Sequence, residues 1–199
     1  MIWRRSRRLR GDRRGATIIE FALITPILLT VIMGFCELAY ECYVQSVLVG
    51  AMQRAGRNST IEGNGTTDIS NSIDAMVISR VRSVSKLLSY QSSRKSYSQF
   101  GYIAPEVYKD NNKNNKYDLG IDCFTDVNGN KQWDADPGIT GQGGANDVVV
   151  YRMSIVYARL LPVTRLIGMS ATVPISATTI LKNQPWKVQT AATPTEYCP

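Results

Sequence analysis

The densest set of side chains able to do chemistry lies between Lys109 and Asn146, where Asp, Asn and Gly dominate. There the pattern Asp110-x-Asn112-x-Asn114-x-x-Tyr117-Asp118 recurs 16 residues later as Asp126-x-Asn128-x-Asn130-x-x-Trp133-Asp134. Oxygen-bearing side chains at alternate positions of a loop, closed by a carboxylate at the ninth, suit calcium, a hard cation that takes roughly six to eight oxygens. The second copy (Asp126, Asn128, Asn130, Asp134) is the better candidate, because Gly129 relaxes its turn and Asp136 offers a third carboxylate. The first copy (Asp110, Asn112, Asn114, Asp118) is the weaker one. Neither has glycine at position six, where Asn115 and Lys131 stand, nor glutamate at position twelve, where Ile121 and Pro137 stand. A pair of Asx-rich turns displaying aromatic residues satisfies the same pattern without a metal. Calcium and plain turns therefore both stand as expectations.

Other chemistries find little support. The chain has no histidine, which removes the commonest general base and the commonest transition-metal ligand. Gly141–Gly144 lacks the strand-to-helix context of a phosphate loop, and no Cys-x-x-Cys pair suggests zinc or redox catalysis. No nucleophile motif and no convincing acid pair is present. The expectation is a protein that is not an enzyme and has no small-molecule substrate.

The remaining chemically unusual residue is Glu20, the only charged residue between Ala16 and Cys36. A helix of about 20 residues spans the hydrocarbon core of a bilayer, and this run is long enough. A carboxylate in its first turns is costly in lipid and marks a functional candidate. Proximity to the helix N-terminus and to the wet interface is the plainer explanation.

Charge sets the direction of this helix. The net charge of +7 is concentrated in residues 1–14, which hold seven arginines and one acid, leaving 16 basic and 15 acidic residues in the rest. Arginines lie immediately N-terminal to the apolar run, and Glu37 and Glu41 follow it. By the positive-inside rule the N-terminus stays in the cytoplasm and the remainder is exported. A nucleic-acid-binding fold would instead spread its positive charge over a groove or face, so no nucleic acid is expected as a partner. No small-residue cleavage pattern follows the apolar run, so removal of the whole helix is not expected.

The residues Arg13-Arg14-Gly15-Ala16-Thr17-Ile18-Ile19-Glu20-Phe21 resemble the leader junction of type IV pilins and pseudopilins. More narrowly, Gly-Ala-x-x-x-Glu-Phe-Ala-Leu-x-x-Pro resembles the opening of TadE-like proteins, minor pseudopilins of the tight-adherence (Tad/Flp) pilus system. That resemblance implies cleavage after Gly15 by a prepilin peptidase, a mature chain starting at Ala16, and Glu20 as its fifth residue. It also implies that the Glu20 carboxylate meets the N-terminal amine of a neighbouring subunit, with other pilin or Tad assembly subunits as partners. A carboxylate buried in lipid needs a cation, and cleavage creates one. The segments Asp147–Pro162 and Ile175–Pro185 look like the two C-terminal strands of longer family members.

The expected organisation is a basic leader over 1–15, a transmembrane and stem helix over 16–57, and an exported α+β domain over 58–199. In the stem, Leu38, Val44, Val47, Leu48, Ala51 and Ala55 recur at helical intervals. A linker over 59–67 leads to a second amphipathic helix over 68–90. Strands are expected over 97–108, 148–159 and 169–182, forming a small, mostly antiparallel sheet. Arg80, Arg82 and Lys86 read as the solvated side of the second helix.

Four cysteines complete the inventory. Cys36 and Cys42 lie on different faces of the stem helix and are not expected to pair. Cys123 and Cys198 lie in the exported part, where a bridge between them would pin the C-terminal tail to the Asp/Asn segment. Free thiols or a bridge to another chain are the alternatives.

Overall fold

The structure is a computed structural model that describes residues 14–61, 67–161, 168–184 and 193–198. The arginines up to Arg13, the middle of the expected linker and Pro162 lie outside the described residues. Helix α1 runs from Arg14 to Ile61 and α2 from Thr67 to Arg82. Strands follow in the order β1 Leu87–Tyr97, β2 Tyr108–Lys109, β3 Cys123–Asp126, β4 Ile139–Thr140, β5 Val148–Ala158, β6 Thr172–Lys182 and β7 Thr195–Tyr197. The class is α+β, with a long apolar N-terminal helix, a second helix and antiparallel sheets.

The chain forms two compact units, one of residues 1–43 and 159–173, the other of residues 44–158 and 174–199. In the first, no side chain described between Thr17 and Cys36 is buried. This apolar surface is what a lipid-facing helix presents, and α1 is long and apolar enough to cross a membrane. Thr25 and Thr30 turn their hydroxyls back onto the carbonyls of Phe21 and Pro26, at 2.6 and 2.8 Å. Each hydroxyl thereby finds an acceptor within its own helix, as a hydrocarbon environment demands. Glu37 ends this exposed stretch and is buried. It lies 3.5 Å from the Arg159 guanidinium and accepts the Leu161 N–H.

In the second unit, Val44, Leu48, Met52 and Ala55 of α1 are buried together with Ile73, Val77 and Val81 of α2. The facing side chains come from alternate residues of β5, Tyr151, Met153, Ile155 and Tyr157, because successive strand side chains point to opposite faces. The buried stripe of the stem starts at Val44; Leu38, expected within it, is exposed. Gly56 sits so close to Leu181 that a Cβ there would fall 2.5 Å from a leucine methyl. The larger sheet has the order β4-β1-β5-β6, with β1 and β5 antiparallel from Leu87↔Tyr157 to Tyr97↔Val148. The smaller has the order β2-β3-β7.

Two of the expected elements also need correction. The second helix ends at Arg82 and not at 90, and Leu87–Tyr97 is a strand. Leu87 and Leu88 continue the helical spacing, but the alternating Ser, Tyr and Gln residues that follow pair along β5. In that register Ser92 and Arg94 reach Asp74 of α2. The strand expected over 97–108 is absent: β1 stops at Tyr97, Phe100–Tyr102 is a 3-10 turn, and only Tyr108–Lys109 pairs again.

Candidate functional site

The Asp/Asn segment is built on the smaller sheet. β2 enters the first loop, β3 leaves it and enters the second, and Tyr108 and Phe124 are direct partners across the ladder. The two loops make the same internal hydrogen bonds. The N–H at position six donates to the first aspartate, Asn115 to Asp110 and Lys131 to Asp126, both at 2.7 Å. The side-chain oxygen at position three accepts the N–H at position five, and that at position five accepts the N–H at position seven. The amides of Asn112 and Asn114 then converge on Asp118, and those of Asn128 and Asn130 on Asp134.

Backbone conformation repeats as well. Position four is left-handed in both copies (Lys113 φ 61°, Gly129 φ 83°), and so is position six (Asn115 φ 61°, Lys131 φ 63°). The turn that glycine normally eases is thus made without it at position six; asparagine tolerates that region better than lysine does.

The repeat is longer than the alternation of Asp and Asn suggests. Upstream of each loop, at the same 16-residue offset, stand a carboxylate (Glu106, Asp122) and an aromatic residue (Tyr108, Phe124). Both carboxylates are buried, Glu106 to 3% and Asp122 to 1% exposure. Each clamps the loop of the other copy. Asp122 accepts the N–H groups of Asn111 and Asp118, positions two and nine of the first loop. Glu106 accepts those of Val127 and Asp134, positions two and nine of the second. Sequence reasoning missed both residues, although the 16-residue offset extended upstream was the available signal. The equivalent aromatics also meet, with Tyr117 and Trp133 stacked and Tyr108 edge-on to both.

As a cation site the loops offer side-chain oxygens at positions one, three, five and nine. This donor set fits a hard cation, which would displace the asparagine amides from Asp118 or Asp134. Asp136 does not join it. Its carboxylate is held instead by Lys95 Nζ at 2.5 Å and the Tyr97 hydroxyl at 2.6 Å. Burial alone would raise the Asp136 carboxyl, but the bonds from Lys95, Tyr97 and the Gly138 N–H hold it below its ordinary range. The expected third carboxylate is therefore committed elsewhere, because the β1–β4 pairing brings Lys95 to that loop.

The residues singled out near the N-terminus lie in α1. Gly15 is exposed, with open space where a Cβ would stand, Ala16 follows in the helix, and Glu20 is exposed on it. Cys123 and Cys198 form a disulfide that fastens β7 beside β3, whereas Cys36 and Cys42 are not joined to each other.

A long apolar helix, exposed along residues 17–36 and continuing into an α+β domain, fits a single-pass membrane anchor. Residues 15–57 match the family model described as TadE-like protein, so this N-terminal segment is similar to that family. No curated protein and no solved structure matches the chain.

Proposed function

We propose that this chain is a minor pilin or pseudopilin, anchored in the bacterial inner membrane, that takes part in assembling the tight-adherence pilus without catalysis. The observation that carries the reading is α1 itself. Its TadE-like stretch begins at Gly15, is exposed and apolar through Cys36, and contributes buried residues from Val44 onward. On this reading prepilin peptidase cuts after Gly15 on the cytoplasmic face. The new amine of Ala16 and the Glu20 carboxylate of an adjacent subunit then offset one another's cost in lipid. The domain beyond the membrane is exported, and its partners are other pilin or Tad assembly subunits.

The mass of the mature chain, with and without prepilin peptidase, tests this. A species starting at Ala16 is expected, and it should vanish when Gly15 is replaced. An intact chain in the presence of active peptidase would eliminate the polymerising form of the proposal.

A second reading is favoured by the loops: we infer that Asp126, Asn128, Asn130 and Asp134, and more weakly Asp110, Asn112, Asn114 and Asp118, hold calcium. The support is the left-handed backbone at positions four and six of both copies, which wraps alternate side chains inward. Bound calcium would supply charge neutralisation and rigidity, suiting an adhesive or surface-binding module. Calcium titration of the full chain should raise its melting temperature and protease resistance, and Asp126→Ala or Asp134→Ala should abolish the rise. No response in the unsubstituted chain would exclude this role.

A further inference from the structure

The link between β5 and β6 belongs to the same compact unit as the first part of α1, residues 1–43 with 159–173. Both of its described ends are tied to the place where the apolar run of α1 stops. At a rise of ~1.5 Å per residue, the run from Ala16 to Cys36 is about 30 Å long, the thickness of a hydrocarbon core. Glu37, the next residue, therefore marks the border of that span. The Leu161 N–H donates to the Glu37 carboxylate at 3.1 Å, and the Arg159 guanidinium lies 3.5 Å from it and 4.0 Å from Glu41. Arg159 also holds the far end of the link. Its backbone N–H donates to the Ala171 carbonyl at 3.0 Å and its Nε to the Ser170 carbonyl at 2.9 Å.

Leu160 and Met169 each adjoin a residue making these bonds, so both are carried to the end of the apolar run. They point away from the polar cluster, being 59% and 47% exposed. A loop bathed in water turns its charges out and its apolar side chains in. Here the order is reversed: Glu37 and Arg159 are turned inward, and the apolar side chains are outward. On α1 itself Phe35 and Leu38, on either side of Glu37, are exposed as well. Tyr40 and Tyr43 follow, the residue type that favours the boundary between membrane and water.

We propose that the β5–β6 link is a second membrane contact, in which Leu160 and Met169 enter the headgroup–acyl boundary of the bilayer that α1 crosses. The inference rests on the reading of α1 as a spanning helix. Continuity decides the occupant: the link stands where the lipid-facing surface of α1 ends, so the medium that covers that surface meets the link. Apolar side chains at such a boundary lower their free energy by leaving water. Attachment at two points would also restrict the tilt and rotation of α1, which interfacial anchors set.

The test uses the full chain with its Cys123–Cys198 bridge intact, at one copy per phosphatidylcholine nanodisc, in a Cys36→Ser and Cys42→Ser background. Nitroxide labels are attached singly through Leu160→Cys, Met169→Cys and, midway along the apolar run, Ile27→Cys. Power saturation compares their access to oxygen, which concentrates in lipid, with access to a nickel chelate, which stays in water. All three labels should give an oxygen-to-nickel ratio severalfold above that of the free label in buffer. The two link labels should lie within about 10 Å of the headgroup boundary, and the Ile27→Cys label deeper. A water-like ratio at either link position, with a lipid-like one at the Ile27→Cys label, would overturn the proposal and leave the anchor standing. A water-like ratio at the Ile27→Cys label would remove the spanning helix, and the proposal with it. Low access to both reagents at the link would mean that the chain itself covers these positions, which also overturns it.

Discussion

Tyr117 and Trp133 occupy the same position in the two copies of the Asp/Asn repeat, and their rings stack with centroids 4.8 Å apart and planes 16° from parallel. Trp133 is further held by its indole N–H, which donates to the Glu106 carbonyl at 2.9 Å. The aromatic residues that the repeat displays therefore face each other and join the loops into one unit. Aromatic pairs contribute ~1 kcal/mol beyond the area they bury. Trp133→Ala should lower unfolding free energy by about 3 kcal/mol, the low end for such truncations because the ring is half-buried. Trp133→Phe should cost about 1 kcal/mol, through the lost hydrogen bond. Denaturant unfolding followed by near-ultraviolet circular dichroism measures both.

The Cys123–Cys198 bridge closes a sequence separation of 75 residues. Closing a loop of that size in the unfolded chain is worth about 4 kcal/mol on chain entropy. β7 has only three residues, and among the described residues it pairs with β3 alone. Reduction, or Cys198→Ser, should thus release the C-terminal segment first. Limited proteolysis should then cut near residues 193–198, while the β1–β5 ladder stays protected from hydrogen exchange.

Asp74 of α2 is a buried junction. It accepts the Tyr151 hydroxyl at 2.6 Å, the Ser92 hydroxyl and the Arg94 guanidinium, which also lies 4.1 Å above the Tyr151 ring. Asp74→Ala strands a largely buried arginine and should cost about 3–5 kcal/mol. Burial, followed by the bond to the charged Asp74, pushes the Tyr151 hydroxyl well above the ordinary tyrosine value. The native state therefore holds a proton that the unfolded chain gives up near pH 10. The contribution of Tyr151 to stability should be constant below that pH and fall as it rises further. Tyr151→Phe should flatten this alkaline limb in a series of melting curves.

Glu37 and Arg159 form the corresponding polar contact in the other unit, with side chains 3% and 12% exposed. Removing the cation leaves a buried carboxylate, so Arg159→Ala should cost more than Glu37→Gln, by about 2 kcal/mol or more. Because the Arg159 N–H bonds to the Ala171 carbonyl and its side chain to that of Ser170, the loss should appear as faster proteolysis around residues 168–173.

Much of this molecule was legible because it depends on patterns short in sequence. The apolar run of α1, its basic flank, the buried spacing from Val44 to Ala55, and strands β5 and β6 all follow from local periodicity and composition. So did the 16-residue repeat. Where α2 gives way to β1, local pattern failed: Leu87 and Leu88 fit the helical spacing, and only pairing with β5 and the reach of Ser92 and Arg94 to Asp74 make the segment a strand.

The sequence by itself determined the long apolar helix, the fold class and which loops carry the oxygen-rich side chains, since each rests on patterns within short segments. Tertiary structure decided what those side chains do. Asp136 is drawn to Lys95 and Tyr97, Glu106 and Asp122 each clamp the other copy's loop, and Arg159 ties the β5–β6 link to Glu37. These outcomes depend on which distant segments pack together, and a carboxylate's role is set by the donors that arrive beside it.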